Sequence, residues 1–497
     1  MMHNHIQDTR SMPLGNDALD SLPRHVLRPR YDRTRLTPGI VHIGLGNFHR
    51  AHQAWYLHRL MQDGLATDWG ILGAGVRSGD AEMRKRLLAQ DCLTTLIELD
   101  PAGAHVEVTG AMVGFLPVEP DNTCLIAKMS DPAIRIVSLT VTEGGYYQHP
   151  LTGDFDIDHD DIRHDAANPG APRSAFGAIV AAYSARRAAG HLPFTALSCD
   201  NLQGNGDILR RVVVELARLS DPDLADWIDT HAAFPNSMVD CIVPATTAEV
   251  LAKAEALGLQ DAAPVTHENF RQWVIEDRFS AGRPPLERVG VTLTNDVHSY
   301  ETMKLRILNG GHQLLANAGE ILGVDTIADC MADRDISAFF TKVQRSEIIP
   351  QVAAVPGMTP SAYLDLISTR FTNPEIRDTT RRVAFDGSSR HAGFLLPTLR
   401  ERSVAGRDVA GLALAEALWA RMCAGTREDG SQIAANDPFW EELVDRARAA
   451  SKDPSCWRTQ QMYAPLAGDT AFARHFDRWL GMLWTQGCRE TLQSYVS

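Results

Sequence analysis

From residue 39 onward, short apolar runs alternate with glycine turns and with stretches whose apolar residues recur at helical spacing. Ile40-Val41-His42-Ile43 is a run that stops at glycines, the pattern of a strand buried on both faces, and AHQAWYLHRLM (51–61) follows it with helical spacing. WGILGAGVRSGD (69–80) begins about 25 residues beyond that first turn, a length that suits one strand–helix–strand step. IRIVSLTVTEGGYY (134–147) predicts a third strand, FTALSCDNLQGNG (194–206) a fourth and MVDCIVPATT (238–247) a fifth. Each run ends in polar and glycine residues at the strand's carboxyl end, where open α/β sheets bind their ligands.

After about residue 296 the pattern changes. ETMKLRILNGGHQLLANAGEILG (301–323), RDVAGLALAEALWARMCAG (407–425) and FARHFDRWLGMLWTQG (472–487) are rich in Ala and Leu and apolar at i, i+3 and i+4. A chain of 497 residues is also too long for one ordinary core. The expected division is a polar, proline-dotted N-terminal arm over 1–37, an α/β domain over 38–295 and a mainly helical domain over 296–497.

Composition narrows the class of protein. With 44% hydrophobic and 22% charged residues the chain is expected to fold. No stretch approaches 18 uninterrupted apolar residues, so no transmembrane helix is predicted. The opening MMHNHIQDTRSMPLGND lacks the apolar run of a secretory signal, which points to the cytosol. A net charge of −14 argues against a nucleic-acid or anionic-membrane surface, and the basic run RHVLRPRYDRTR (24–35) reads as a solvated face. The eight cysteines form no CxxC pair and the eighteen histidines no HExxH. His49 and His52 have no carboxylate or cysteine nearby to complete a ligand set, so no metal site is expected and a zinc-dependent alcohol dehydrogenase is disfavoured.

A dinucleotide fold needs a tight glycine turn between its first strand and first helix, because the pyrophosphate must approach backbone N–H groups. The turn Gly44-Leu45-Gly46-Asn47-Phe48 meets that need, although the third glycine of GxGxxG is replaced by His49. An ordinary strand-to-helix turn is the plain alternative. At the end of the second strand Asp80 can accept from a ribose 2′-OH and repel a 2′-phosphate, favouring NAD over NADP, whereas Arg77 can welcome that phosphate. Asp80 is equally placed to cap the following helix. Thr142 and Glu143, in the glycine turn ending the third strand, complete the candidate cofactor set.

The most informative stretch is Lys304-Leu-Arg-Ile-Leu-Asn309-Gly-Gly-His312. On an α-helix Asn309 lies about 140° and His312 about 80° around from Lys304, within one broad face. Gly310-Gly311 costs roughly 1 kcal/mol each against Ala in a helix interior, so a close approach of nicotinamide or of the other domain is expected there. Oxidising an alcohol needs a base for the hydroxyl proton and donors for the alkoxide. A lysine shielded from water can be that base near neutral pH, and the amides of Asn309 and of Asn201, after the fourth strand, can be those donors. A surface lysine and a helix-capping asparagine remain the alternative.

Taken together, GLGNFHRAHQ (44–53), TEGGY (142–146), SCDNLQGNG (198–206), FPNSMVD (234–240), Lys304…Asn309…His312 and RFTNPEIRDTTRRVAFDGSSR (370–390) resemble the polyol-specific long-chain dehydrogenases and reductases. The likeness runs along nearly the whole chain after about residue 38, and agreement of six motifs in order makes it specific. It implies a Rossmann-like N-terminal domain, a helical C-terminal domain and a polyol site in the cleft between them. It further implies a metal-independent exchange of a sugar alcohol and its ketose with NAD, mannitol and fructose first, arabinitol or glucitol next. In that likeness Lys304 matches the general acid/base and Asn201 and Asn309 the oxyanion pair. His312 and Asp240 match groups that bind or orient substrate, and Glu301 a carboxylate that gates proton escape. Arg382 matches a substrate-binding arginine, and Arg390 stands where the family often has lysine, an exchange that is not neutral where hydroxyls must be held. The family also admits monomers.

Three other readings compete. A hexuronate reductase of the same superfamily would use Arg382 or Arg390 for the substrate carboxylate. A dinucleotide-binding protein without catalysis would bind NADH and not turn over. A methyltransferase would share the glycine turn but leave the lysine helix unexplained.

Overall fold

Five parallel strands carry the first part of the chain: β1 (Pro38–Ile43), β2 (Gly70–Ala74), β3 (Met112–Phe115), β4 (Ile136–Leu139) and β5 (Thr195–Ser198). They appear in a computed structural model that describes residues 12–148 and 154–497. The chain divides into two units, Met1–His298 and Ser299–Ser497. In the first, the strands lie in the order β3-β2-β1-β4-β5, every neighbouring pair parallel. That is the Rossmann winding. The chain runs outward from β1 through β2 to β3, then returns to β4, so connections leave β1 and β4 in opposite directions and open a crevice at their carboxyl ends.

The apolar runs are continuous because both faces of the sheet are covered. Ile40, Ile136 and Leu197 point into one core with Leu57 and Leu60 of the helix Gln53–Gln62. Val41, Ile43, Val137, Leu139 and Ala196 point into the other with Ile179 and Tyr183 of the helix Ala175–Ala188.

Three elements depart from the sequence pattern. β3 is short and broken by Gly114, so it gives no strong apolar run. Strands Thr94–Leu99 and His105–Thr109 form an antiparallel hairpin between β2 and β3, where a strand–helix rhythm has no place for one. The run read as a fifth strand does form Ser237–Asp240, but it pairs antiparallel with Gln272–Glu276 in a separate three-stranded sheet. Residues 1–11 of the expected arm lie outside the described part. The remainder runs along the first unit, with Leu14, Leu22, Val26 and Leu36 buried and Val26–Leu27 adding a parallel strand beside His105–Thr109. Within the basic run, Arg33 is committed to backbone: its Nε donates to Gly110 O (3.0 Å), and Nη2 to Asp91 O and Met112 O (both 2.7 Å).

The second unit is helical. The helices Gly310–Leu322 and Ala410–Met422 are buried almost all round, as their Ala- and Leu-rich sequences require. Thr470–Thr485 packs beside the latter with its polar face outward. The His391 ring links Asn317 Nδ2 (2.9 Å) to Glu416 Oε1 (2.9 Å), and the Tyr463 hydroxyl donates to Glu416 Oε2 (2.6 Å), so these buried side chains are joined in a hydrogen-bonded chain. No helix of the described residues is long and apolar enough to cross a membrane.

Candidate active site

At the carboxyl end of β1, Gly44 sits at φ +89°, and a Cβ there would lie 2.2 Å from Thr140 O, so only glycine fits. Thr140 Oγ1 donates back to Gly44 O (2.6 Å), joining the ends of β1 and β4. The helix α1 (Asn47–Ala51) starts directly after Gly46, and a Cβ built on Gly46 meets nothing within 4 Å, which leaves the open approach a pyrophosphate requires. Leu45 is buried over Gly73 of β2, and Phe48 stacks on His52 with ring centroids 4.8 Å apart. The Asn47 side chain is engaged in packing: Nδ2 donates to Pro244 O (3.1 Å) and Thr246 Oγ1 (2.9 Å), and Oδ1 accepts from Arg50 Nη2 (2.7 Å). His49, in place of the third glycine, is buried and stacks on His42 at 3.5 Å with an 18° tilt. A flat pair of rings thus makes the close helix–strand contact that glycine makes elsewhere. Burial lowers the His42 pKa to about 3 and holds His49 well below the usual range, so both rings are neutral near neutral pH.

At the end of β2, the Asp80 Oδ2 accepts from Arg77 N (2.9 Å), and the side chain packs over Gly75, where a Cβ would meet it at 2.3 Å. Asp80 therefore does not cap the amides of the helix it opens, α2 (Asp80–Leu88); it bonds backward and closes the turn. Arg77 lies exposed in that turn. At the end of β4, Thr142 adopts φ 70°, ψ 160°, a region nearly reserved for glycine. The strained turn is held by the buried Asp200 carboxylate, which accepts from Thr142 N (2.9 Å), Val141 N (3.1 Å) and the Tyr146 hydroxyl (2.7 Å). The next residue, Asn201, is exposed just beyond β5. Gly44 to Phe48, Arg77, Asp80, Thr142 and Asn201 thus all gather at the carboxyl ends of the parallel strands. Glu143 follows Thr142 in the chain; its side chain lies outside the described part. Asp240 is buried at the end of its strand in the other sheet, opposite Gln272.

In the second unit the candidate residues lie along one interrupted helix. Glu301 falls in α3 (Val297–Met303), Lys304–Asn309 forms a π-helical turn, and His312 falls in α4 (Gly310–Leu322). The α-helical angles expected from the sequence are corrected here. In a π turn, closed by i→i+5 hydrogen bonds, Asn309 lies roughly 50° rather than 140° around from Lys304, one turn above it. Glu301, Lys304, Asn309 and His312 are all buried, with Lys304 7% exposed. The expected reason for Gly310-Gly311 is also corrected. A Cβ on Gly311 would meet Gln344 Nε2 at 2.7 Å and Phe340 Cε2 at 2.8 Å, so the close approach comes from helices of the same unit. Gln344 Nε2 in turn donates to Ile307 O (2.8 Å), filling a carbonyl of the π turn.

His312 stacks on Phe371 (centroids 4.3 Å, 21°), with Nε2 3.8 Å from Asp378 Oδ2. Burial lowers its pKa to about 4; Asp378 opposes the shift, and Arg382, Arg370 and Arg390 reinforce it. Arg382 is exposed and grips the buried Asp378 with two prongs, Nε to Oδ1 (2.7 Å) and Nη2 to Oδ2 (2.6 Å). Arg390 Nη1 donates to Val383 O (3.1 Å).

Residues 38–288 match the mannitol dehydrogenase Rossmann domain, and residues 296–484 match the mannitol dehydrogenase C-terminal domain. The chain belongs to the mannitol dehydrogenase family. It is accordingly an oxidoreductase acting on CH–OH groups. The mannitol 2-dehydrogenase of Cereibacter sphaeroides is 53% identical over 477 residues, spanning 96% of this chain and 100% of that one. A polyol:NADP oxidoreductase of Gluconobacter oxydans (strain 621H) is 40% identical over 438 residues, spanning 87% and 90%. A solved ternary complex of Pseudomonas fluorescens mannitol 2-dehydrogenase with NAD and D-mannitol shares 38% identity at a TM-score of 0.87, covering 98% of this chain and 99% of that one.

Two residues of this family member escaped the sequence reading. Asp378 was legible: it stands four residues before Arg382, the spacing of a helical ion pair, inside a motif already singled out. Asp200 was not, because its three partners come from a turn about 55 to 60 residues away in the chain and no local spacing signals a carboxylate gripping a remote backbone.

Proposed function

We propose that this chain is an NAD-dependent polyol dehydrogenase interconverting a sugar alcohol and its ketose, mannitol and fructose first: polyol + NAD⁺ ⇌ ketose + NADH + H⁺. The observation that carries the reading is a buried lysine opening a π turn in a chain aligned end to end with a mannitol 2-dehydrogenase. π turns occur preferentially at functional sites, where they re-aim side chains.

In this reading the Lys304 amine takes the proton of the reacting hydroxyl and returns it in the ketose-reducing direction. Asn309 and Asn201 donate amide N–H groups to the oxygen as its negative charge develops. His312, neutral because its pKa is held near 4, serves as a hydrogen-bonding partner of a substrate hydroxyl and not as a proton carrier near neutrality. Asp240, Arg382 and Arg390 hold further hydroxyls, and Glu301, one turn before Lys304, controls the path by which the proton leaves. When bound, the nicotinamide supplies the hydride acceptor. The residues that would hold its dinucleotide are Gly44 to Phe48, whose turn leaves the space above Gly46 open, with Arg77, Asp80, Thr142 and Glu143 around it. No metal ion is required, since the lysine amine and the amide donors do the work a Lewis acid would otherwise do.

A panel of polyols, assayed by NAD⁺ reduction after chelator treatment, tests the reading. Turnover of mannitol exceeding that of arabinitol and glucitol is expected; NADH binding with no turnover of any polyol would favour the non-catalytic alternative. The hexuronate alternative loses one of its two candidate cations, because the charge of Arg382 is already paired with Asp378.

Cofactor choice rests on Asp80. Asp80→Asn keeps an acceptor for Arg77 N but removes the charge, and should lower the NAD-over-NADP ratio of kcat/KM by about tenfold or more. An unchanged ratio would leave Asp80 with the turn-closing role alone.

A further inference from the structure

Asp378 is a buried carboxylate to which the proposed chemistry gives no part. Its side chain is 5% exposed, it lies four residues before Arg382, and both of its oxygens are taken by the Arg382 guanidinium at 2.7 and 2.6 Å. Oδ2 also faces His312 Nε2 at 3.8 Å, a buried nitrogen with no hydrogen-bond partner, on a ring held flat against Phe371. The carboxylate therefore stands between two of the side chains assigned to the substrate's hydroxyls, His312 and Arg382, while a third, Arg390, donates to Val383 O.

We infer that Asp378 determines specificity: by pairing with Arg382 it presents a neutral ion pair in place of a bare cation, so that uncharged polyols and ketoses are accepted and hexuronates rejected. The inference rests on the polyol-dehydrogenase reading above. A guanidinium is always charged and offers five N–H donors, of which two go to Asp378. The others remain available to neutral hydroxyls, which need donors but no net field. A uronate carboxylate would have to share Arg382 with Asp378 or expel it, placing two like charges side by side. Selectivity often comes from such repulsion of the wrong partner and not from extra attraction to the right one.

The test compares fructuronate with fructose in the NADH-dependent direction, for the wild type, Asp378→Asn and Arg382→Gln. The readout is the inhibition constant of fructuronate against fructose divided by the KM of fructose. Asp378→Asn frees the cation and should lower this ratio by about tenfold or more. Arg382→Gln leaves the carboxylate unpaired and should raise it. Opposite shifts support the inference, because a general loosening of the site moves both variants the same way. A ratio within about twofold of wild type in Asp378→Asn, or shifts of the same sign, overturns it. Should Asp378→Asn fail to fold, Arg382→Gln decides alone: a fall or no change sinks the idea. A wild type that turns over no polyol or ketose fails at the earlier step, overturning the functional reading and this inference together.

Discussion

Replacing Lys304 with alanine should lower the turnover of mannitol by roughly 10²–10⁴-fold, the range for loss of a positioned acid–base group, with any positioning loss added to it. Cofactor affinity should change little, since the glycine turn and Asp80 belong to the other unit of the chain. The decisive comparison is kcat against the NADH dissociation constant from fluorescence titration. A Lys304→Ala enzyme that kept near-normal turnover would remove the lysine from its assigned role, and equal losses in kcat and NADH affinity would point to misfolding. The size of the effect follows from burial. A buried amine is shielded from bulk water and buffer, which readily stand in for an exposed base.

The second large effect is expected at Gly44, where alanine should weaken the first unit by about 2–4 kcal/mol. One part is the left-handed backbone, which costs a non-glycine residue about 1–3 kcal/mol; the rest is overpacking against Thr140 O, of similar size. Because Thr140 belongs to the end of β4 and also receives the His42 ring (2.9 Å), relief cannot come from a side-chain rotation. It requires the ends of β1 and β4 to separate, and those ends are where the dinucleotide is proposed to lie. Gly44→Ala should therefore lower the urea midpoint and cofactor affinity together. A variant with wild-type midpoint and wild-type NADH binding would show that the turn has slack which its geometry does not suggest.

Much of this architecture was legible because burial on two faces writes itself into the chain as apolar runs. Ile40 to Ile43 and Ile136 to Leu139 are such runs, and each ends where a turn proposed to hold the dinucleotide begins. β3 was not legible: four residues including a glycine carry too little apolar signal, and its place is fixed by β2 alongside it. The run read as a fifth strand, 238–247, is strand only over its first three residues, within Ser237–Asp240, and its sheet was not readable, since apolar spacing says nothing about a strand's neighbour. At the lysine helix, residue identities and order were readable while angles were not. A π turn is an α-helix with one residue too many per turn, and the Ala- and Leu-rich flanks mask it. What fixes it is tertiary: Gln344 donating to Ile307 O and Phe340 pressed against Gly311. Asp80 shows the converse. Its position was read correctly, but both its possible partners, ribose and helix amides, omitted the backbone N–H of Arg77 that it meets.

The widened turn at Lys304–Asn309 is braced by two others, Gln344–Ile348 and His391–Leu395: the first supplies Gln344, and the second sets Leu395 against Gly310. The winding at Lys304–Asn309 thus leans on two neighbouring helices that carry widened turns of their own. Substitutions chosen to raise helix propensity would favour ordinary winding and swing the amine about its axis even as they stabilised the rod. Thermostability and turnover therefore pull against each other along this segment, and a hardened version of the enzyme is better sought on helices such as Thr470–Thr485, whose outer face carries no such dependence.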